Sequence, residues 1–230
     1  MKPIHSTIWV RTFLVVAIAM AWSDGRADTP NLLINPSFEE GRKGWNWRET
    51  SPYWHDFQIT SKRSHRGSHS AHLHLLSGQQ RVPRIWGIVQ ALPLQRLPGT
   101  LDLWYRVEHW RQPVVRQYIQ VVVMVHGDPH FSGPGDTLRQ VRYILGGLEA
   151  PPYNDVTNTK YRMVGPKVPR QGVWTRFTTN VAEDFKKAWG PMPARFSKIE
   201  VFFEVRYDDP IPAGKVASAD VYWDDLSLRP

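Results

Sequence analysis

Apolar and polar residues alternate with a period of two along many short stretches of this 230-residue chain. These stretches are rich in β-branched and aromatic residues and are bounded by glycine and proline, which is the pattern of β-strands. The pattern predicts strands at residues 31–38, 57–60, 70–76, 85–94, 101–107, 118–125, 141–145, 174–179, 199–207 and 221–228.

Two segments depart from the strand pattern. Residues 182–189 contain helix formers followed by Gly190, which predicts one short helix. Residues 150–170 are rich in proline and predict a long loop, and long loops inside compact domains are often functional. Since strands continue to the end with no second change in composition, residues 31–230 are predicted to form one domain. We predict an all-β fold, a jelly-roll β-sandwich of two antiparallel sheets with one helix and the Pro-rich loop.

The N-terminus has the features of a targeting segment. Lys2 and Arg11 precede or flank an apolar run at residues 13–20 that is too short to span a bilayer. Residues 1–21 are therefore predicted to be a secretory signal peptide, cleaved after Ala21 or after Ala27, and residues 22–30 a linker. An uncleaved anchor is the alternative. No other stretch predicts a transmembrane segment, so a secreted protein, periplasmic or extracellular, is expected.

The amino-acid composition limits the kinds of functional site that the chain can contain. The chain has no cysteine, which excludes disulfides, thiolate metal sites and cysteine nucleophiles. Its formal net charge is +8, and a basic secreted protein is attracted to acidic polysaccharides. The basic residues are scattered rather than clustered, so nucleic acid is not an expected partner. The chain also lacks phosphate-loop, dinucleotide-binding and nucleophile-elbow motifs.

The two ends of the predicted domain carry its most informative motifs. Residues 31–39 read Asn-Leu-Leu-Ile-Asn-Pro-Ser-Phe-Glu, Gly44-Trp45 follows, and residues 221–228 read Val-Tyr-Trp-Asp-Asp-Leu-Ser-Leu. The turn at 65–69, the Pro98-Gly99 turn and the Trp174-x-x-Phe177 strand lie between them. These motifs resemble those of the galactose-binding-like jelly-roll carbohydrate-binding modules of the xylan- and cellulose-binding type. The resemblance implies a glycan ligand.

A metal site is predicted where the chain ends meet. In a jelly roll the first and last strands are neighbours, which brings Glu39 near Asp224 and Asp225. Three clustered carboxylates repel one another unless a cation lies among them, and Ca²⁺ accepts such hard oxygen ligands. The turn at 66–68 could add backbone carbonyls, as the corresponding turn does in the family. We expect a structural calcium ion; the alternative is three solvated surface charges.

Ligand-binding residues are expected on an outer sheet face. Alternation turns Trp104 and Arg106 outward on the strand at 101–107, and it turns Phe202, Glu204 and Arg206 outward on the strand at 199–207. In similar modules the ligand groove lies on the outer, concave surface of the sheet that holds these two strands. The five side chains are therefore predicted to share a groove. In the alternative reading, the helix or the Pro-rich loop covers this face and makes it a second core layer with internal ion pairs.

Further rings lie in a predicted loop and at a strand end. The loop at 47–54 contains Trp47, Tyr53 and Trp54, and Trp110 lies just beyond the strand at 101–107. Aromatic rings stack on sugar faces, and arginines bind uronate or sulfate groups in bidentate fashion. We therefore add these four rings to the predicted ligand-binding residues, with a polysaccharide or glycan, acidic or neutral, as the expected partner.

Catalysis is the main alternative to simple binding. Glu108, Glu200 and Glu204 could supply the carboxylate pair of a glycosidase, but their spacing does not require it. His72 and His74 face the same side of one strand, and no third metal ligand is indicated. The sequence thus predicts a secreted, non-catalytic carbohydrate-binding protein. A small polysaccharide-cleaving hydrolase or lyase, or an envelope or matrix protein-interaction module, are the alternatives.

Overall fold

A computed structural model describes residues 29–78, 83–127, 138–154, 156–190 and 196–230. The predicted signal peptide and most of the predicted linker lie outside these ranges. The described strands are β1 (Trp54–His55), β2 (Gln58–Thr60), β3 (Ser70–Leu76), β4 (Arg84–Leu92), β5 (Thr100–Arg111), β6 (Gln117–Gly127), β7 (Leu138–Gly146), β8 (Thr159–Met163), β9 (Trp174–Asn180), β10 (Phe196–Tyr207) and β11 (Ser218–Arg229), and α1 spans Val181–Trp189.

The strands form two sheets that pack face to face. A six-stranded sheet has the order β1-β4-β10-β6-β7-β8, and a five-stranded sheet has the order β2-β3-β11-β5-β9. The predicted all-β sandwich is thereby confirmed. The long strands pair antiparallel, as predicted, whereas β1 pairs with β4 and β8 pairs with β7 in parallel. Both parallel pairs lie at the edges of the six-stranded sheet.

The core lies between the sheets and follows the period-two pattern. Alternate residues of every long strand are fully buried, and large rings fill the centre. The Phe203 ring contacts Trp45 and Trp223, with centroids 5.8 and 5.3 Å apart. Each such buried apolar side chain contributes about 1.5–3 kcal/mol to the free energy of unfolding. The residues between them point to the two outer faces.

The chain ends lie side by side, as predicted, although residues 31–38 do not form a regular strand. The Leu32 amide donates to the Leu228 carbonyl at 2.7 Å, and the Leu226 amide donates to the Pro36 carbonyl at 3.0 Å. The Asn35 side chain interrupts the strand by accepting from the Glu40 amide and donating to the Gly41 carbonyl. The N-terminal motif is therefore a hydrogen-bonded loop that runs along the second half of β11.

The predicted helix is confirmed and begins one residue earlier than expected. The Asn180 side chain accepts from the Glu183 amide and caps α1, which ends at Gly190. The Pro-rich segment 150–170 is not a continuous loop, since it contains β8. In the described part of the chain, no helix is long and apolar enough to cross a membrane.

Candidate functional site

The outer face of the six-stranded sheet holds a buried polar network. Arg206 projects outward from β10 and donates to the Asp208 carboxylate at 2.6 Å. Its guanidinium also lies 3.5 Å from Glu204, which accepts a hydrogen bond from Gln120 at 2.5 Å. The Tyr118 hydroxyl donates to Asp208 at 2.7 Å. One arginine is thus held between two carboxylates.

Neighbouring side chains close the centre of this face. Phe202 is 2% exposed and Glu204 is 4% exposed. The Trp54 ring lies 5.9 Å from the Phe202 ring and so close to the β4 backbone that a Cβ at Gly87 would approach it to 2.5 Å. The Arg48 guanidinium lies 4.8 Å from the Phe202 ring centroid. The centre of this face is therefore a second core layer with internal ion pairs, as the alternative held, but Trp54 and Arg48 close it rather than the predicted helix or Pro-rich loop.

A second polar cluster lies further along the same strand. The Glu200 carboxylate accepts from Arg48 at 3.1 Å and pairs with the His126 imidazole at 2.7 Å. Burial alone would raise the pKa of Glu200, but Arg48, His126 and Lys198 lower it below the ordinary value. The carboxylate is therefore held as an anion, and its oxygens already have cationic or imidazole partners.

The outer face of the five-stranded sheet carries an open pocket, which we call the Trp104 pocket. Its volume is about 380 Å³, within the roughly 300–1,000 Å³ of small-ligand sites. Besides backbone and small side chains, its walls are formed by Asp102, Trp104, Arg66, Arg176, Arg229 and Asp225.

Three elements position the Trp104 indole. Trp104 lies on β5 between Arg176 of β9 and Asp224 of β11, which are its partners on the adjacent strands. The His65 ring stacks on the indole with centroids 4.0 Å apart and an angle of 16° between the planes. Arg176 forms a bidentate pair with Asp102, at 2.9 and 2.6 Å. The pocket thus combines a positioned aromatic ring with charged side chains, of which Arg176 and Asp102 hold each other in place.

The predicted shared groove was wrong. Trp104 and Arg106 belong to β5 in the five-stranded sheet, whereas Phe202, Glu204 and Arg206 belong to β10 in the six-stranded sheet. Because the outer faces of the two sheets lie on opposite sides of the sandwich, no single groove can contain all five side chains. The period-two pattern predicted correctly that each of them points outward, but it gave no information on which sheet holds each strand.

The predicted rim residues have separate environments. Trp47 and Trp110 pack against the main core, and the Trp110 indole donates to the Gln112 side chain at 3.3 Å. Trp54 packs on the outer face of the six-stranded sheet. Tyr53 is exposed. Trp47 and Trp110 are therefore largely structural in their contacts, and these four rings do not form one aromatic surface.

The carboxylates at the chain ends lie around the turn at 65–69, as expected. Their oxygens, however, accept hydrogen bonds from backbone N–H groups of that turn. The Glu39 carboxylate accepts from the amides of Ser68 and His69, at 2.8 and 2.9 Å. Asp224 accepts from the His65 amide at 2.6 Å, and burial raises the pKa of Asp224 to about 6 against these donors.

These contacts bear on whether a calcium ion fits. Three His, Asp or Glu ligands come together, among the residues that the structure describes, only at His72, His74 and Asp220. Glu39, Asp224 and Asp225 are thus neighbours of one turn rather than a compact ligand set, and any ion there would need backbone oxygens as well. The predicted calcium ion stays a prediction, which chelation can test.

Several residues at the Trp104 pocket were not predicted as ligand-binding residues. His65, Arg66, Arg176, Arg229 and Asp102 come from four separate segments, and only the folded register brings them together. Alternation on β5 and β9 gives the outward orientation of Asp102 and Arg176, but it does not show that they share a pocket. The sequence indicated no third ligand beside His72 and His74, whereas the structure places Asp220 beside both.

Comparison with known proteins gives distant structural similarity only. No family model and no curated protein matches the chain. Solved structures that resemble it include a family 61 carbohydrate-binding module in complex with β-1,4-galactotriose (13% identity, 88% of this chain, 100% of that chain, TM-score 0.46). Another is one of the carbohydrate-binding modules of the β-sandwich superfamily, whose specificity is described as promiscuous (12% identity, 88% of this chain, 62% of that chain, TM-score 0.46). A third is a module specific for non-crystalline cellulose (12%, 85% and 94%, 0.44).

Enzymes occur among the similar structures as well. They include a β-1,2-glucanase from Parabacteroides distasonis and endoglucanase 3 of family GH12 from Trichoderma harzianum, each with a TM-score of 0.40. At this distance the similarity assigns neither a ligand nor an activity to the present chain. The case for function therefore rests on the side chains described above.

Proposed function

We propose that this protein is a secreted, non-catalytic glycan-binding protein and that the ligand occupies the Trp104 pocket. The observation that carries the proposal is an indole in an open pocket with three arginines around it. An indole offers a flat apolar surface for a sugar ring. Guanidinium groups bind carboxylates and sulfates in bidentate geometry, so the expected ligand is an acidic glycan.

The charges around the pocket support an anionic ligand. Arg176 is already paired with Asp102, but the Arg66 side chain is 80% exposed and approaches Asp225 only to 3.8 Å. The exposed guanidinium of Arg66 has room to turn towards a ligand. A larger cavity of about 740 Å³ beside residues 112–116 and 147–152 has no aromatic side chain among its described lining residues. The Trp104 pocket is therefore the better candidate for sugar stacking.

The arrangement of acids supports binding without hydrolysis. Glu200 and Glu204 are four residues apart on one strand, about 13 Å between Cα atoms. Glycosidase carboxylates lie roughly 5–10 Å apart. Glu108 lies in the other sheet and is bound by Arg63 and Arg106. Glu200 is likewise bound by Arg48 and His126, and Glu204 by Gln120, so all three carboxylates already have side-chain partners. The signal-peptide pattern at residues 1–21 supports secretion.

Affinity electrophoresis and calorimetry with acidic and neutral polysaccharides test the proposal. Trp104→Ala should abolish binding, and loss of Arg66 should weaken binding of the acidic glycans more than that of the neutral ones. Trp54→Ala is the matched control, because it removes the same ring from the other sheet. Melting temperatures of both variants establish that they are folded.

Three results would contradict the proposal. Binding lost in Trp54→Ala but kept in Trp104→Ala would move the site to the six-stranded sheet. Release of reducing ends or unsaturated uronates from the polysaccharides would show that the protein is an enzyme rather than a non-catalytic binding protein. Absence of binding to every acidic and neutral glycan in a broad panel would remove the proposed function altogether.

A further inference from the structure

Three histidine rings converge on one carboxylate on the outer face of the five-stranded sheet. The Asp220 Oδ1 atom lies 2.6 Å from His72 Nε2 and 2.8 Å from His74 Nδ1. The Asp220 Oδ2 atom lies 2.7 Å from His109 Nδ1. We call these four residues the histidine cluster. It is separate from the Trp104 pocket, since Asp220 and the β11 partner of Trp104 are four residues apart, about 13 Å along the strand.

Strand register places two of the histidines beside the carboxylate. Alternation buries Ala71, Leu73 and Leu75 of β3 in the core, so His72 and His74 point outward. Asp220 of β11 is the direct cross-strand partner of His74, with His72 one alternate position away. The side chains of such neighbours on one face are within contact distance.

A β-bulge supplies the third histidine. The pairing of β5 with β11 shifts by one residue between Ser218 and Asp220, and the extra residue in β5 lies next to Glu108. His109 in this bulge has a φ of 52°, in the left-handed region that side chains rarely adopt. Bulges re-aim side chains, and here the bulge turns the His109 ring towards Asp220. Three adjacent strands thus contribute to one cluster.

Neighbouring side chains hold the histidine rings in place, and the nearby arginines bind Glu108 rather than Asp220. The Tyr222 ring stacks on His72 with centroids 4.5 Å apart and planes at 9°. Glu108, the nearest acid on β5, is bound by Arg63 and Arg106 at 2.9 and 2.6 Å. The Asp220 side chain is 13% exposed, whereas that of His74 is 54% exposed. An ion can therefore reach a largely preformed set of ligands from solvent.

We propose that His72, His74 and Asp220 form a binding site for a divalent transition-metal ion, with Zn²⁺ as the expected ion and His109 as a candidate fourth ligand. Imidazole nitrogens and a carboxylate oxygen are the ligand types of zinc, and three such ligands leave the fourth tetrahedral position to His109 or to a water molecule. Bonds of about 2.1 Å to a tetrahedral ion place its ligand atoms roughly 3.4 Å apart. The potential ligand atoms of His72, His74 and Asp220 all lie within 4.8 Å of one another.

The competing arrangement is a metal-free cluster. In it each imidazole donates one N–H to the carboxylate, which satisfies both carboxylate oxygens and one nitrogen of each ring without an ion. The two arrangements differ in the role of the ring nitrogens, because a metal takes the lone pair and displaces the proton. They also differ in a measurable way, since only the first binds an ion stoichiometrically. An ion there would join β3, β11 and β5 across the sheet and would stabilise the fold.

Zinc binding to the tag-free full chain tests this site. The protein is first treated with a zinc-selective chelator in calcium-containing buffer, so that the predicted calcium site is undisturbed. ZnCl₂ is then titrated by calorimetry, and bound metal is counted by mass spectrometry after gel filtration. The expected result is one Zn²⁺ per chain and a higher melting temperature. Co²⁺ in place of Zn²⁺ should give the visible absorption of a tetrahedral site.

Variants locate the ion. His74→Ala and Asp220→Asn should each weaken Zn²⁺ binding by at least the roughly 10- to 100-fold that loss of even a supporting partner costs a metal site. His109→Ala should weaken it as well if that ring is the fourth ligand. His69→Ala is the matched control, because His69 is an exposed histidine paired with a single carboxylate, Glu39, elsewhere on the molecule.

The outcomes separate this proposal from the glycan-binding one. No stoichiometric Zn²⁺ in the native protein, or equal affinity in His74→Ala and the native protein, would overturn the metal site. Loss of zinc binding in His69→Ala alone would place the ion elsewhere and would overturn it too. Each of these readings is made without a glycan, so failure of the Trp104 pocket to bind sugar leaves the result unaffected.

Discussion

The imidazole of His65 lies flat on the indole of Trp104, with ring centroids 4.0 Å apart. The same imidazole bonds the Asp225 carboxylate at 2.6 Å, and the His65 amide donates to Asp224. The turn at 65–69 is therefore attached to β11, the C-terminal strand, and holds the ring of the Trp104 pocket. This contact connects the most recognisable part of the sequence to the proposed binding site.

Removing the imidazole should weaken glycan binding without removing the sugar-stacking ring. His65→Ala leaves one face of Trp104 unsupported, so the indole gains rotamers that must be lost again when the ligand binds. We expect a several-fold rise in Kd by calorimetry, smaller than the loss in Trp104→Ala. His69→Ala, in the same turn but paired with Glu39, is the control. Equal Kd values for His65→Ala and the native protein would show that the stacking contact does not position the ring.

The turn at 65–69 depends on a glycine for its contact with Glu39. Gly67 has a φ of 65°, and a Cβ there would lie 2.5 Å from the Glu39 carboxylate. Gly67→Ala should therefore displace the Glu39 side chain and its two hydrogen bonds, in addition to straining the backbone. Gly41→Ala is a close control, because Gly41 has the same φ and nothing within 4 Å of its Cβ position.

Urea unfolding of the two variants measures the difference. Backbone strain alone costs about 1–2 kcal/mol in each variant, and the excess loss in Gly67→Ala reports the Glu39 contact. Similar free energies of unfolding for the two variants would show that Glu39 moves away at little cost.

The period-two pattern predicted most of the fold because inward-facing residues of long strands must be apolar. The predicted range 70–76 coincides with β3, and the predicted helix differs from α1 by one residue. The pattern missed β1 and β8, which are short edge strands that pair in parallel and lie among loops. It also predicted a strand at 31–38, where the Asn35 side chain instead forms local hydrogen bonds.

The sequence predicted the candidate sites less completely than the fold, because the residues of each site come from distant segments. Alternation shows that Trp104 and His74 point outward, but their neighbours come from distant segments. Arg176 reaches the Trp104 pocket through the pairing of β5 with β9. His109 reaches the histidine cluster through a bulge, which reverses the orientation that alternation would give it. Sheet order and bulges are long-range properties that one sequence does not reveal.

Chelation tests the predicted calcium ion at the chain ends. If an ion bridges the carboxylates of Glu39, Asp224 and Asp225, then EGTA should lower the melting temperature and added Ca²⁺ should restore it. Asp225→Asn should reduce that response. The backbone N–H groups that already bind Glu39 and Asp224 offer a different way to neutralise these charges. An unchanged melting temperature in EGTA would show that they suffice without a cation.

The buried polar network on the outer face of the six-stranded sheet allows a prediction of how much one substitution lowers the free energy of unfolding. Arg206→Met keeps much of the side-chain volume but leaves Glu204 and Asp208 as buried anions without their shared cation. Removal of one partner from a buried ion pair costs about 3–5 kcal/mol, so urea unfolding should show a loss of that size. Arg42→Met, which removes an exposed arginine from its pair with Asp56, should cost at most about 1 kcal/mol.

A combined variant separates charge from packing in this network. Arg206→Met together with Glu204→Gln and Asp208→Asn removes the cation and both anions, and most of the stability should return, because neutral groups tolerate burial better than unpaired charges. If the single substitution costs no more than Arg42→Met, water must reach the two carboxylates. If the triple variant is as unstable as the single one, the loss comes from packing of the Arg206 side chain rather than from its charge.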